Sequence, residues 1–384
     1  MPSAEPSWPE RQTAIIANAT GDLVVSQDVQ LPELEPDMLI VKTVAVAVNP
    51  CDMKMTGSMG IKGAISGGDC AGIVIAIGSE VPEGRFAVGD RVCAAVHSMN
   101  PLLPRVGAFA QYVGATADFT LKIPDDMTFE EASTLGISTA TIGYALFKSL
   151  NVPGHPDKPA MKPAYVLVYG GSTATGTIAI QLIRRYERPF KFHSISCVQI
   201  SDNTCLNSSG LIPITTCSPK NFPLVERSGA EKAFDYHDPN IVKEIKAYTK
   251  NALQYSLDCF CDSASMRFCY AVLGRAGGRY TTLEYYNPEL HTRKTVKPDW
   301  ILGMALFGKR IGWKEPYNLE GDPELRTFGK DWFMTVQRML DAGEIKPHPT
   351  KLGGTTFEHV IEGVDLLRKK AVSGHKLVYH IADP

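Results

Sequence analysis

The residues with the plainest chemical purpose are Gly170-Gly-Ser-Thr-Ala-Thr-Gly176. They follow the apolar run Tyr165-Val-Leu-Val-Tyr169 and lead into a helical apolar pattern. Strand, tight glycine turn and helix are the parts of a pyrophosphate cradle. Glycine lets the backbone approach the phosphates, and the helix N-terminus offers unpaired N–H groups and the positive end of its dipole. Ser172, Thr173 and Thr175 add hydroxyl donors. A site of this kind that prefers NAD carries an acid at the end of the next strand, where it holds the ribose 2′-hydroxyl. The corresponding strand, 212–216, runs into Cys217-Ser-Pro-Lys-Asn221, which has no acid. Ser218 can donate to a 2′-phosphate and Lys220 can neutralise it, so the pattern reads as NADPH rather than NADH.

Such a loop needs a parallel sheet behind it, and the chain supplies one. Strands are expected at 165–169, 212–216, 232–235, 256–259 and 278–283, with helices at 175–185, 222–228, 242–249 and 265–273 between them. Upstream, to about Pro124, the texture is β-rich, with β-branched runs at 39–48, 72–77 and 89–96. Thr128-Phe-Glu-Glu131 has the outline of a capping box. A helical stretch covers 332–341, and the closing run 376–381 is expected to return as a strand to the first unit. The fold class is therefore α/β, with a β-rich domain from 1–130 and 310–384 and a doubly wound domain at 131–309.

The 384 residues hold 39 Lys and Arg against 41 Asp and Glu, a balance that argues against binding nucleic acid or membrane by bulk charge. Nothing is apolar for the roughly 18 residues a membrane span needs, and no secretory signal is expected. Nine cysteines without a CxxC pair fit reduced thiols in a cytoplasmic protein.

One segment does not fit. From Gly176 to Ser218 is 42 positions, about twice the ~20 such a unit uses. Removing the 22 residues 186–207 restores the spacing. Codons for Arg185-Tyr-Glu can read GTATGA, those for Ser201-Asp-Asn can contain CTGAC, and Asn207-Ser208 can contain a terminal AG. The segment is read as a translated, unspliced intron, and a surface insertion is the alternative, since loops tolerate length well. Sequencing the cDNA decides between them.

A β-rich unit before a dinucleotide unit resembles the medium-chain dehydrogenase/reductase superfamily, whose first unit is GroES-like. Its zinc branch carries an early catalytic Cys, a Gly-His-Glu motif and a lobe with four close cysteines. Here the matching stretches are Asn49-Pro-Cys-Asp-Met-Lys54 and Gly67-Gly-Asp-Cys-Ala-Gly72, without a histidine, and 93–109 holds one cysteine. Cys51, Asp69 and Cys70 make a poor soft-metal set, so no metal is expected. Asn-Pro-x-Asp resembles the zinc-free quinone oxidoreductase-like branch. Without a metal, protein donors must polarise the acceptor, which favours reducing a double bond conjugated to a carbonyl. Lys54 is the candidate donor to the developing enolate oxygen, or a ligand of cofactor phosphate, and Asp52 a group that orients it. Thr139 and Tyr144 are candidate pocket donors, although a core helix explains them nearly as well.

Closer matches follow in Thr216-Cys-Ser-Pro-Lys-Asn-Phe222, Gly229-Ala-Glu-Lys-Ala-Phe-Asp-Tyr-His-Asp238, Ala247-Tyr-Thr-Lys-Asn251, Gly274-Arg-Ala-Gly-Gly278 and Phe357-Glu-His-Val-Ile-Glu-Gly363. With the glycine loop they resemble the fungal trans-acting enoyl reductases over nearly the whole chain except 186–207. The resemblance implies a reductase that uses NADPH on enoyl thioesters held by the acyl carrier protein of a polyketide synthase, often fused to a peptide synthetase module. It also implies NADPH contacts from Cys51, Asp52, Met53 and Lys54, and from Ser172, Thr173, Ala174 and Thr175. Further contacts would come from Ser218, Pro219, Lys220 and Asn221, then Tyr236, Leu283, Glu284, Val372 and Ser373. The acyl pocket would be lined by Thr139, Ala140, Thr141, Ile142, Gly143, Tyr144, Ala145, Leu146 and Phe147, and by Met304, Ala305, Leu306, Phe307 and Gly308. On residue type alone the last five read equally as an apolar core strand. A free-standing quinone or enone reductase and a non-enzymatic nucleotide-binding partner of the synthase are the competing readings, and zinc-free relatives include monomers and dimers.

Overall fold

The computed structural model describes residues 9–158, 160–184 and 211–384, so the anomalous segment 186–207 lies outside the described residues. Contacts divide the chain into two units, Met1–Ala140 with Leu302–Pro384, and Thr141–Ile301. The breaks expected after 130 and after 309 thus fall elsewhere, and the reason for the first is local. The start of the helix Gly136–Tyr144 is tied to the first unit, with the Ile137 N–H donating to Asp69 Oδ1 (2.6 Å) and the Thr139 carbonyl accepting from Trp332 Nε1 (2.8 Å).

The first unit is built on the strand Met38–Ala47, whose side chains are buried on both faces, which is why it reads as one continuous apolar run. One edge pairs antiparallel with Asp69–Ile77, which pairs with Arg91–Ala95 and, through it, with Thr120–Lys122. The other edge is shared. Tyr112–Thr116 covers its first half, and Lys376–His380 covers its end, Val378 facing Ala47. The chain terminus therefore does return as a strand to the first unit. Thr128 caps the helix Phe129–Ala132 in a reciprocal box with Glu131. The helix read at 332–341 starts earlier, at Pro323, because Asp322 accepts from the Glu324 and Leu325 N–H groups and Pro323 needs no donor in the first turn.

In the second unit six strands, Ala164–Tyr169, Leu211–Cys217, Lys232–Asp235, Tyr255–Asp258, Gly278–Thr282 and Val296–Trp300, form one parallel sheet. Numbered in chain order they lie 3-2-1-4-5-6. That is the doubly wound dinucleotide-binding order. The sixth strand was not expected. Val-Lys-Pro-Asp-Trp is a five-residue run with alternating burial and a proline, a pattern that suits its place at the edge of the sheet.

Among the described residues no helix is long and apolar enough to cross a membrane. A buried imidazole makes a local prediction. His97 packs edge-on to Trp313 and beside Phe307, its Nε2 has no hydrogen-bond partner among the described residues, and burial lowers its pKa to about 4. The unfolded chain therefore binds a proton that the folded chain refuses as pH falls from about 6.5 to 4, and stability is lost across that window. His97→Leu is expected to lose less stability than the parent between pH 7 and pH 4.5, read by urea melts at both. An equal loss would show that His97 is not the acid-sensitive group.

Candidate functional site

Because all six strands run the same way, their carboxyl ends form one edge of the second unit, and the order reverses between the first and fourth strands. The crevice at such a reversal is where open parallel sheets bind ligands. The glycine turn leaves the first strand there. Gly170 has φ of 88°, in the left-handed region. A Cβ on Gly171 would lie 1.9 Å from Thr215 Oγ1, and one on Gly176 would lie 2.4 Å from the Gly170 carbonyl oxygen. Both absences let the helix Ala174–Arg184 begin hard against the turn, with first-turn N–H groups that have no intrahelical acceptor. That is a cradle fitted to a pyrophosphate. The Thr173 hydroxyl donates to the Gly170 carbonyl (2.8 Å) and accepts from the Gly176 N–H (3.0 Å), so it holds the loop's shape. Thr175 lies 3.2 Å from it, and the Cys259 thiol, pushed up to about 12 by burial, hydrogen-bonds with both threonines. Of the three hydroxyls read from the sequence, Thr173's is thus spent inside the loop.

Ser218, Pro219, Lys220 and Asn221 form the turn that leaves the second strand. Cys217 pairs with Asp235, so Tyr236 follows on the neighbouring strand, and Ser218 Oγ donates to the Tyr236 hydroxyl (3.3 Å). Lys220 is exposed. The nearest acid along these strands, Asp235, is engaged by the His237 N–H and Nδ1 at 3.0 and 2.9 Å. Leu283 and Glu284 leave the fifth strand, with the Leu283 N–H on Cys261 Sγ (3.2 Å). The sheet therefore gathers the second-unit candidates along one edge.

In the first unit Cys51, Asp52, Met53 and Lys54 lie on the short helix Pro50–Lys54. Asp52 is 1% exposed and accepts the Asn49 N–H at 2.7 Å. Burial raises its carboxyl to about 7 against the pull of the Asn49 and Gly68 N–H groups, with the Asp69 charge raising it and the Lys376 charge lowering it. Burial likewise pushes the Cys51 thiol well up. Lys54 is exposed on the same turn. Asp69, weighed in the sequence as a metal ligand beside Cys51 and Cys70, is instead saturated. Its Oδ2 takes Lys376 Nζ (2.5 Å) and Asn49 Nδ2 (2.8 Å), and its Oδ1 takes the Ile137 N–H. No group of three or more His, Cys, Asp or Glu side chains placed to hold a metal occurs among the described residues. Val372 and Ser373 lie on the segment leading into the strand that carries Lys376.

Thr139 is fully buried, and its hydroxyl donates to the Leu135 carbonyl at 2.6 Å and lies 3.1 Å from that of Gly136. The core-helix reading accounts for that hydroxyl. Ala140, Thr141, Ile142 and Gly143 continue this helix to Tyr144, and Ala145, Leu146 and Phe147 continue it as a π-helical turn to Ser149. Tyr144 and Phe147 are the half-buried members. Met304, Ala305, Leu306 and Phe307 make a 3₁₀ turn closed by left-handed Gly308, not the apolar strand that was the alternative. Met304, Leu306 and Phe307 are buried, with Phe307 4.4 Å from Phe119 between ring centroids.

Comparison with known proteins agrees with both units. The alcohol dehydrogenase GroES-like domain family matches residues 35–125. A Gibberella zeae protein named trans-enoyl reductase FSL5 is 50% identical over 97% of this chain and 98% of its own length. The chain belongs to the fungal trans-enoyl reductases. A second, trans-enoyl reductase caaB of Aspergillus niger, is 45% identical over 99% of this chain and all of its own. Among solved structures, the CurK enoyl reductase superposes with a TM-score of 0.70 at 15% identity, covering 97% of this chain and 99% of that one. A zinc-dependent alcohol dehydrogenase-like protein from Rhizobium etli gives 0.74 at 20%, covering 98% and 100%. These two show the fold, a GroES-like unit with a doubly wound parallel sheet. The reductase is thus an oxidoreductase of the medium-chain dehydrogenase/reductase superfamily, whose fold implies a nicotinamide dinucleotide. Reading the sequence missed the roles of Asn49, Asp69 and Lys376. The Asn-Pro-x-Asp spacing of a helix cap was a usable signal for the first.

Proposed function

We propose that this reductase uses NADPH to reduce the α,β-double bond of enoyl thioesters carried on the acyl carrier protein of a cytoplasmic polyketide synthase. The observation that carries the reading is near-full-length likeness to proteins named trans-enoyl reductases. The choice of nucleotide is supported by the Ser218–Tyr236 pair and Lys220 standing where an NAD site has its acid. In this reading the second unit binds the dinucleotide and the first supplies the chemistry. Bound NADPH supplies the hydride to the β-carbon of the enoyl group. The Gly170–Gly176 turn takes the pyrophosphate at Ser172, Ala174 and Thr175, since the Gly170, Gly171, Thr173 and Gly176 N–H groups already bond acceptors within the protein. Pro219 and Asn221 shape the 2′-phosphate turn, while Leu283, Glu284, Val372 and Ser373 complete the nucleotide contacts. Lys54 donates to the thioester oxygen as enolate charge develops there, and Cys51, Asp52 and Met53 set its turn. Tyr144, Phe147 and the 304–308 turn face the acyl chain.

The test offers an enoyl pantetheine thioester, the same acyl group on carrier protein, and free quinones, with NADPH and with NADH, following nicotinamide absorbance. Thioesters are expected to be turned over faster than quinones, the carrier-bound form best, and NADPH at least tenfold better in kcat/KM than NADH. Faster turnover of quinones would move the assignment to a free-standing quinone reductase, and parity of the nucleotides would remove the 2′-phosphate site.

A further inference from the structure

The first unit holds a buried ion pair that no catalytic step uses. Lys376 is 5% exposed and Asp69 is not exposed at all, and their Nζ and Oδ2 atoms lie 2.5 Å apart. Asn49 closes the pair into a triangle. Its Oδ1 takes Lys376 Nζ at 2.8 Å and its Nδ2 gives to Asp69 Oδ2 at 2.8 Å, so the amide has one possible orientation. Three segments radiate from this triangle. Asn49 is the cap of the Pro50–Lys54 turn and binds Asp52 through its N–H. Asp69 Oδ1 holds the Ile137 N–H at the start of the helix Gly136–Tyr144. Lys376 itself follows the 372–373 segment closely along the chain. A Cβ on Gly136 would stand 2.6 Å from Asp69 Oδ1, so the helix start is seated directly on the carboxylate.

Burying two charges costs several kcal/mol of desolvation each, which a hydrophobic pair of like volume avoids. A buried pair is therefore weak evidence of stabilisation and better evidence of a fixed arrangement. We propose that Lys376 and Asp69 are positioning residues of the reductase, setting the Pro50–Lys54 turn and the start of the Gly136–Tyr144 helix in register with each other. The inference rests on the reading above that this turn faces the reacting groups.

Asp52 gives a readout that loss of packing alone would not move. Around it stand Cys51 and Lys54 on its own turn, Asp69 and the Gly68 N–H on the neighbouring strand, and Lys376 on the C-terminal strand. His348, whose pKa burial and the Lys376 and His375 charges lower, is near Lys376, and Arg368 bonds Thr56 just after the turn. The Asp69 charge raises the Asp52 carboxyl and the Lys376 charge lowers it. Removing Lys376 alone therefore shifts the titration of Asp52 upward, and removing the Asp69 charge as well brings it back down from there.

The experiment compares the full-length parent, Lys376→Met, Lys376→Met with Asp69→Asn, and Lys54→Ala, using NADPH and an enoyl pantetheine thioester, with thermal melts alongside. Lys376→Met leaves the Asp69 carboxylate buried without its cation and is the variant that risks unfolding, whereas the double variant removes that carboxylate together with its partner. The double variant is expected to stay folded with kcat down at least tenfold and a smaller change in KM. The acid limb of the kcat profile is expected to lie at higher pH in Lys376→Met, where it folds, than in either the parent or the double variant. A folded double variant with kcat within twofold of the parent, or with KM rising as much as kcat falls, overturns the proposal. Unchanged turnover in Lys54→Ala would instead overturn the reading of the turn, since the hub would then be positioning a segment that does no chemistry.

Discussion

Gly176→Ala is expected to weaken dinucleotide binding at least thirtyfold in a chain that still contains every polar group of the loop. The new Cβ would lie 2.4 Å from the Gly170 carbonyl oxygen, 2.7 Å from Gly171 Cα and 2.8 Å from the Gly171 carbonyl carbon. All three are backbone atoms, so no side-chain rotation relieves the overlap. Either the helix Ala174–Arg184 lifts from the turn or the turn opens, and in both cases the Thr173 hydroxyl can no longer bridge the Gly170 carbonyl and the Gly176 N–H. Overpacking of this kind costs about 1–3 kcal/mol in stability. The loss in binding is larger, because the helix N–H groups must meet the pyrophosphate at hydrogen-bond distance. At least a thirtyfold rise in NADPH Kd is expected by fluorescence titration, with a lowered Tm. Gly171→Ala is a milder companion, since its obstacle is the Thr215 side chain, whose Oγ1 now donates to the Val168 carbonyl at 2.7 Å. Adding Thr215→Ala to it is expected to restore part of the binding. Normal affinity in a folded Gly176→Ala chain would mean that the dinucleotide is not held on this loop.

How much of this was legible in the sequence depends on the range over which each feature is encoded. The glycine turn and its strand are local: a few adjacent residues specify both the backbone path and the close approach, so the spacing alone predicted the cradle. The missing acid after the second strand was equally readable, because the turn that replaces it is contiguous. The buried triangle was not. Lys376 and Asp69 stand 307 positions apart, and nothing in the residues beside either one names the other as its partner. Thr139 illustrates the opposite limit. A hydroxyl on an apolar helix can serve a pocket or bond back to its own helix, and the chain geometry chose the Leu135 carbonyl. At 304–308 an apolar strand stayed open as the alternative because a short apolar run does not distinguish strand from 3₁₀ turn, while Gly308 at φ 67° ends it.

Lys220→Ala is expected to raise the KM for NADPH by roughly ten- to a hundredfold and to leave NADH kinetics within about twofold. Lys220 is exposed on the turn leaving the second strand, next to a Ser218 hydroxyl already oriented by Tyr236 at 3.3 Å. A hydrogen bond to a charged group contributes about 1.5–3 kcal/mol, which is that range of fold-change at 1.4 kcal/mol per tenfold. NADH has no phosphate for the ammonium to meet and so loses nothing. Ser218→Asp tests the same edge from the other side. A carboxylate there repels a 2′-phosphate and can accept from a ribose 2′-hydroxyl, so the double variant Ser218→Asp with Lys220→Ala is expected to reverse the nucleotide preference. The Gly176 cradle is untouched in these variants, so kcat at saturating nucleotide should stay near that of the parent. Added salt supplies the control: a phosphate–ammonium contact at an exposed site is screened, and the preference of the parent for NADPH should narrow as ionic strength rises while that of the double variant changes less. A Lys220→Ala chain that keeps its NADPH KM would place the 2′-phosphate away from this turn and leave Ser218 and Tyr236 as an ordinary strand-end pair.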